Sequence, residues 1–537
     1  MDRHPQQIAS DSNRGEGRAP SNWQRWLLPS ITDLIFALLL AAMTYGALAP
    51  RLLSDASIGW HIRNGELILK NHAVPHTDPF SGANVHSQSW FAWEWLYDSV
   101  IAVIHSRTGL NGVVGFTALV VGLTFALVFR WTLLRGGNLP VTGLFLALAL
   151  GASAVHLQAR PHVMSWLFTV LWFQVLDSSE TANTTRHLFF LPLLMLLWVN
   201  VHGGFVVGFV LLGVYLAEGF LNYLRHRDAR GAITARLKSL SLVTGLSAVV
   251  SLVNPYGYKL HAHVYAYLSD RWLMNHIDEF LSPNFHGIAQ QCFVVLLLLT
   301  ILALFARPEE LRMSQLLVVI FAAYSGLYAS RSLPVSSLLL TLIMAPILSR
   351  AVVRTSRDPA VPSATRNLVL RCSSFFERMQ AMNSGLRGHL WPMVVAVLIA
   401  VTCFRQGKLG PLLAMNSHFD AGKFPVEAAE VIAQHKIAEP IFSLDPWGGY
   451  LIYRLYPGTR VYVDDRHDFY GDQFLKNYLK VIQIAPDWQS ALAETKVRWV
   501  LVPDDSALAN ILRETPQWRM VHEDRTAALF EYTAPDN

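Results

Sequence analysis

Three carboxylates follow the first long apolar run of the chain. They are Asp55 in Ser54-Asp55-Ala-Ser-Ile-Gly-Trp60-His61, Asp78 in Val74-Pro75-His76-Thr77-Asp78-Pro79-Phe80-Ser81, and Glu94 in Trp90-Phe-Ala-Trp93-Glu94-Trp95. A carboxylate at a membrane face can take the proton of an attacking hydroxyl. Cationic and hydrogen-bonding groups at the same depth can hold an anionic headgroup such as a phosphate. Arg160 in Gln158-Ala-Arg-Pro-His162, His202 in Trp198-Val-Asn-Val-His-Gly-Gly204 and Arg331 in Tyr328-Ala-Ser-Arg-Ser332 stand at the edges of other apolar runs. Each has a plainer reading. Asp55 also suits the N-cap of a helix beginning at Ala56, Asp78 before Pro79 suits a turn, Glu94 suits a solvated surface, and an Arg at a helix end can snorkel.

Two further clusters carry chemistry. Asn275-His276-Ile-Asp278-Glu279 offers oxygen and imidazole ligands for a divalent cation, although carboxylates in a wet loop are ordinarily just solvated. No metal ligand set is assigned, and no cofactor beyond that open divalent cation. Asp445-Pro-Trp-Gly-Gly-Tyr450 and Val463-Asp464-Asp465-Arg466-His467-Asp468 follow strand-like runs. Strand ends are where open α/β sheets hold ligands, so a sugar-recognition surface competes there with structural turns and salt bridges.

The elements that must position these groups follow from composition. The 537 residues are 52% hydrophobic and 15% charged, too apolar for a water-soluble chain of this length. Apolar segments centred on 31–49, 110–131, 139–157, 162–178, 187–201, 204–224, 239–254, 290–306, 313–329, 332–349 and 390–404 predict about eleven transmembrane helices. The net charge of +5 resides mainly in short loops, at Arg130 and Arg135, Arg186, 225–238, Arg307 and Arg312, and 350–387. That pattern is topogenic and argues against a nucleic-acid partner. It puts the N-terminus in the cytoplasm and the C-terminus outside. Residues 1–26 read as a disordered cytoplasmic tail and 27–404 as the membrane domain. Within the latter, 50–109 and 255–289 are long extracytoplasmic loops, the first with two amphipathic helices on the membrane surface. Residues 405–537 switch to short strands at 441–444, 460–464, 497–502 and 526–532 between helices, which predicts a soluble, extracytoplasmic α/β domain. Cys292, Cys372 and Cys403 lie in or beside membrane segments, so no disulfide framework is expected.

An acid just after the first membrane helix, a surface-helix loop with Val74-Pro75, and an aromatic Trp-Leu helix leading into the second span resemble the GT-C superfamily, across roughly 27–350. The resemblance implies a polytopic glycosyltransferase with a mannosyl- or arabinosyltransferase-like architecture in a bacterial inner membrane. It implies hexosyl or pentosyl transfer from a polyprenyl-phosphate-linked sugar, a membrane lipid, to an extracytoplasmic lipid, glycan or protein. Asp55, Asp78 and Glu94 are then the catalytic candidates. Trp60, His61, Arg160, His162, Asn200, His202 and Arg331 are the substrate-binding ones. Members carry an acidic pair near the start of the loop, whereas here Asp55 stands without an adjacent acid. A transporter and a non-catalytic envelope-assembly protein of the same architecture are the competing readings.

Overall fold

The computed structural model of the chain describes residues 22–82, 89–181, 185–226, 228, 230–355, 359–360 and 362–533. The expected disordered tail lies outside these residues up to position 21, as do Arg227 and 356–358 of the basic loops. The last residues of that tail instead open a short helix, α1 (Asn22–Leu27).

All the apolar runs are helical. The first is α2 (Ile31–Thr44), started by a capping box in which Ser30 Oγ accepts from the Asp33 N–H and Asp33 Oδ2 accepts from the Ser30 N–H. The loop after it holds α3 (Ala49–Leu52) and α4 (Ser57–Asn71) and leads into the 40-residue α5 (Trp95–Leu134). Gly109, at φ +61°, breaks α5 into an amphipathic first part and an apolar second part, because a left-handed residue cannot continue a helix. Next come α6 (Leu139–Ser153), α7 (His162–Thr181), α8 (Leu191–Val199), α9 (Val206–Arg225) and α10 (Arg230–Ser251). The second long loop carries α11 (Tyr258–Ser269) and α12 (Arg271–Met274). It is followed by α13 (Ile288–Ala306), α14 (Met313–Tyr328), α15 (Leu333–Thr355), α16 (Ser363–Ser384) and α17 (Leu390–Phe404).

Among the described residues, seven helices are long and apolar enough to cross a membrane, so the chain is a multi-pass helical membrane protein. The other expected spans, α7, α8, α14 and α17, are helical but shorter or more polar. At the far ends of α5 and α7, basic residues of the loops meet acids: Arg135 lies 3.0 Å from Asp177 and Arg312 lies 2.8 Å from Glu180.

Residues 405–537 begin with a short hairpin, β1 (Lys408–Leu409) and β2 (Leu412–Leu413). After α18 (Val426–Gln434) comes β3 (Ile441–Ser443), then α19 (Asp445–Leu455), α20 (His467–Ile482), α21 (Trp488–Thr495), β4 (Trp499–Pro503), α22 (Ala507–Glu514), β5 (Trp518–Glu523) and β6 (Ala527–Tyr532). The sheet order is β3-β4-β6-β5, with β3 parallel to β4 and the other pairs antiparallel. The run 460–464 makes isolated bridges rather than the expected strand. Val461 bridges both Ile441 and Ser81, which ties the first loop to this sheet.

The first loop differs from expectation in its surroundings. Its helix α4 does not lie on an open surface: Ser57 through Ile62, with Asn64 and Gly65, is buried between α5 and α19. Glycines make this approach feasible. A Cβ on Gly59 would sit 2.2 Å from the Gly449 carbonyl oxygen, and one on Gly449 would sit 2.3 Å from that of Ala56.

Candidate functional site

A cavity of about 500 Å³ opens where the first loop, the turns entering α7, α9 and α15, and the run 465–468 converge. Its polar end carries His61, Glu94, Arg160, His162, His202, Glu279, Arg331 and Asp465, and Trp60 forms part of the same wall. Its other flank is apolar, with Trp166 of α7, Val206, Val207 and Val210 of α9, Phe321 of α14 and Val335 of α15. A pocket lined by both apolar helix faces and charged groups fits an amphiphile.

Arg160 is set in a turn anchored by the Ala159 N–H, which donates to the Leu52 carbonyl at 2.8 Å. Its guanidinium reaches Asp55 at 3.3 Å and Glu279 and Asp465 at 3.8 Å, and these acids hold its pKa above the ordinary arginine value despite burial. Arg331 shares Glu279 at 3.5 Å and lies 4.4 Å over the Phe280 ring. Burial alone would raise the Glu279 carboxyl, but Arg331 and Arg160 outweigh it and hold it well below the usual range.

His202 Nδ1 accepts from the Gly204 N–H at 3.0 Å and lies 2.7 Å from Ser165 Oγ, which itself accepts from the Trp198 indole. Its proton is therefore on Nε2, 4.0 Å from Glu94 Oε1. Burial, reinforced by Arg331, keeps this imidazole neutral. On the other side of Glu94, His61 Nε2 lies 4.0 Å from Oε2, while its Nδ1 is 2.6 Å from Asp98 and its ring stacks on Trp60. Glu94 is thus a carboxyl group between two imidazoles. Burial, with Asp98 nearby, pushes its pKa well above the ordinary carboxylate value. His162, also on the wall, bonds the His156 carbonyl through Nε2 at 2.7 Å.

Asp55 does two things. Its Oδ1 accepts from the Ser57 N–H at 2.8 Å, the cap-like role, and its Oδ2 faces Arg160.

Three expected site residues do not line the cavity: Asp55, which meets it through its ion pair with Arg160, and Asp78 and Asn200. Asp78 is 3% exposed, accepts from the Phe80 and Ser81 N–H groups, and pairs with Arg466 at 2.6 Å. A carboxylate enclosed by that guanidinium and two backbone donors has no route to a substrate. Asn200 is 5% exposed; its Oδ1 accepts from the Trp95 indole at 2.7 Å and its amide donates to the Leu196 and Val253 carbonyls. It is a tie between α8, α5 and the end of α10 rather than a ligand group.

Asp465 and Arg466 were expected in a separate sugar-recognition surface and Glu279 in a divalent-cation cluster, not beside the first loop. Arg466 is buried, bonded to Asp464 at 2.5 Å and to Asp78, and enclosed by the rings of Trp60, Phe80, Trp90 and Phe469 at 4.8–5.8 Å. It clasps the first loop to the C-terminal region and presents Asp465 beside Asp55. The Asp464-Asp465 run was visible in the sequence, but nothing there indicates that it folds back on Ser57, 408 residues away.

Asp55, Asp465 and Glu279 are all within 4.0 Å of the Arg160 guanidinium, so these acids do not fit a divalent cation, which would face that charge. Among the described residues, Glu427, His522 and Asp524 bring ligand atoms within 4.8 Å of one another, but none of them lines the cavity.

The fold has solved counterparts. Over 94% of this chain and 74% of the other, it resembles the archaeal oligosaccharyltransferase AglB from Archaeoglobus fulgidus, in complex with an inhibitory peptide and a dolichol-phosphate. The TM-score is 0.51 and the identity 12%. ArnT from Cupriavidus metallidurans, bound to undecaprenyl phosphate, matches over 94% of this chain and 99% of its own at 12% identity, with a TM-score of 0.47. No family model and no curated protein matches the sequence. At such identity the likeness is one of fold alone, the fold of AglB.

Proposed function

We propose that the chain is a membrane glycosyltransferase that moves a hexosyl or pentosyl group from a polyprenyl-phosphate-linked sugar to an extracytoplasmic hydroxyl. The observation that carries this reading is the convergence of Arg160, His202 and Arg331 at the charged end of a cavity whose other flank is apolar helix. A phosphate on a long isoprenoid tail has that polarity. The dolichol-phosphate held by the similarly folded AglB agrees with it.

In this reading the two guanidiniums and the His202 Nε2–H hold the phosphate and take up the charge that develops on it. Asp55 belongs to the carboxylate base. The acceptor O–H bond breaks toward carboxylate, the acceptor oxygen forms a bond to the sugar anomeric carbon, and the anomeric C–O bond breaks with its electron pair going to the phosphate. Glu94, between His61 and His202, hydrogen-bonds sugar or acceptor. The wider topology belongs to the same proposal: about eleven spans in a bacterial inner membrane, the N-terminus cytoplasmic, and residues 405–537 a periplasmic α/β domain.

Purified protein offered radiolabelled polyprenyl-phosphate sugars, wild type beside Asp55→Asn, tests this. Transfer by wild type, reduced at least on the order of 10²-fold in the variant, is expected. Wild type inactive with every donor, in a folded preparation, sinks the enzyme reading and favours an assembly protein that retains the architecture.

A further inference from the structure

The sequence shows one acid at the start of the first loop; the fold brings a second. Ser57 Oγ is within hydrogen-bond reach of both Asp55 Oδ1 and Asp465 Oδ2. A hydroxyl carries one proton and can donate to only one of two carboxylates; the other contact is favourable only if that carboxyl group donates to the hydroxyl oxygen. The neighbours say which. Asp465 Oδ1 accepts from the Trp60 indole N–H at 3.0 Å, so a proton on Asp465 belongs on Oδ2, facing Ser57. Arg160 stands nearer Asp55, at 3.3 Å, than Asp465, at 3.8 Å, so the negative charge belongs on Asp55. The complete chain runs from Asp465 Oδ2–H to Ser57 Oγ–H to the Asp55 carboxylate.

We propose that Asp55 and Asp465 form a carboxyl pair that shares one proton through the Ser57 hydroxyl, and that this pair, with Asp465 facing the cavity, is the base of the transfer. The base role rests on the glycosyltransferase reading; the shared proton does not. Asp465 is the member that lines the cavity. The groups facing it are Asp55 from the first loop, Ser57 and Trp60 from α4, Arg160 from the turn before α7, and Asp464, Arg466 and His467 beside it in sequence. Burial raises its pKa to about 6 against the opposing pull of Arg160, with Asp55 and Asp464 adding to the rise. With both members ionised, the pair accepts the acceptor's proton at Asp465 Oδ2 as the acceptor oxygen bonds to the anomeric carbon and the phosphate leaves with its electron pair. The hydrogen-bond chain is complete once that proton has arrived. The singly protonated pair is therefore the favoured product of proton transfer, which makes the pair a stronger base than a lone aspartate.

Isotope-edited infrared spectroscopy of full-length protein carrying ¹³C-carboxyl aspartate in lipid nanodiscs reads this proton without any donor present. Wild type should show a protonated aspartate with a midpoint near pH 6. The signal should vanish in Asp465→Asn. In Asp55→Asn, which keeps the bond from the Ser57 N–H and removes the neighbouring charge, it should move down by about one unit. A midpoint indifferent to both substitutions overturns the shared proton. In parallel, transfer from radiolabelled polyprenyl-phosphate sugars should rise with pH through that midpoint in wild type, and Asp465→Asn should lose at least on the order of 10²-fold in kcat. Asp465→Asn with full kcat overturns the base role. Inactive wild type with the infrared pair intact overturns the enzyme reading and the base role while upholding the shared proton.

Discussion

Gly449→Ala removes no functional group, yet it should cost both stability and transfer. Gly449 sits on α19 where that helix crosses the start of α4, and an added Cβ would lie 2.3 Å from the Ala56 carbonyl oxygen, 2.7 Å from its carbon and 3.1 Å from the Ser57 nitrogen. Ordinary contact begins at 3.4 Å, so the helices must separate by about 1.1 Å, and the obstructing atoms are backbone that no rotamer change can clear. Overpacking of this kind costs about 1–3 kcal/mol. The displaced residues are Ala56 and Ser57, next to Asp55 and opposite Asp465. A misplacement of about 1 Å in a reacting geometry is worth on the order of 10²-fold in rate. Thermal unfolding in detergent should show a lower midpoint. Transfer assays at saturating donor should show a kcat loss near that size with KM for donor little changed, because Arg160 and Arg331 stand on other elements. Gly449→Ser should behave alike. Wild-type stability and kcat in Gly449→Ala would refute the idea that the α4–α19 crossing sets the register of the two carboxylates.

Asp78→Ala should leave the buried Arg466 with Asp464 as its remaining acid and destabilise the fold by about 3–5 kcal/mol, read by denaturation, while Asp78→Asn at permissive temperature keeps measurable transfer. Glu94→Gln should retain more activity than Glu94→Ala, since burial with Asp98 nearby raises the carboxyl's pKa and the amide keeps its size and hydrogen-bonding capacity; steady-state kinetics separate the two. Arg331→Ala should weaken donor binding by about tenfold, read as KM or by direct titration, through loss of one charged hydrogen bond. His467, 2.9 Å from Asp445, has a raised pKa through that hydrogen bond and charge, which outweigh burial. A raised folded pKa stabilises below the unfolded value of 6.5 and is lost as pH rises through the folded value. Wild type should therefore lose stability from about pH 6.5 upward by this contribution, and Asp445→Asn should flatten that slope in unfolding scans.

What the sequence made legible is what local chemistry writes locally. Each apolar run is a helix because length and hydropathy act on consecutive residues, and the helices and three of the four strands expected after residue 405 were readable for the same reason. The strand expected at 460–464 is reduced to isolated bridges of Val461 with Ser81 and Ile441. The surface reading of α4 failed too. An amphipathic stripe says that one face is buried, not what buries it, and Gly59 and Gly449 were unremarkable until their close approach was seen. The same limit governs the site. Arg160, His202 and Arg331 were found because a charge at the edge of an apolar run is costly enough to need a purpose. Asp78, an acid of the first loop, and Asn200, beside His202, were candidates too, but the carboxylate is consumed by Arg466 and the amide by backbone carbonyls and an indole. The second acid of the pair escaped because pairing is a property of distance. Asp465 looked like one of several acids in a distant loop, and only the Arg466 clasp, built from the very Asp78 that had been assigned to catalysis, carries it to Ser57. In the proposed reaction, Asp78 holds the residue that positions the base.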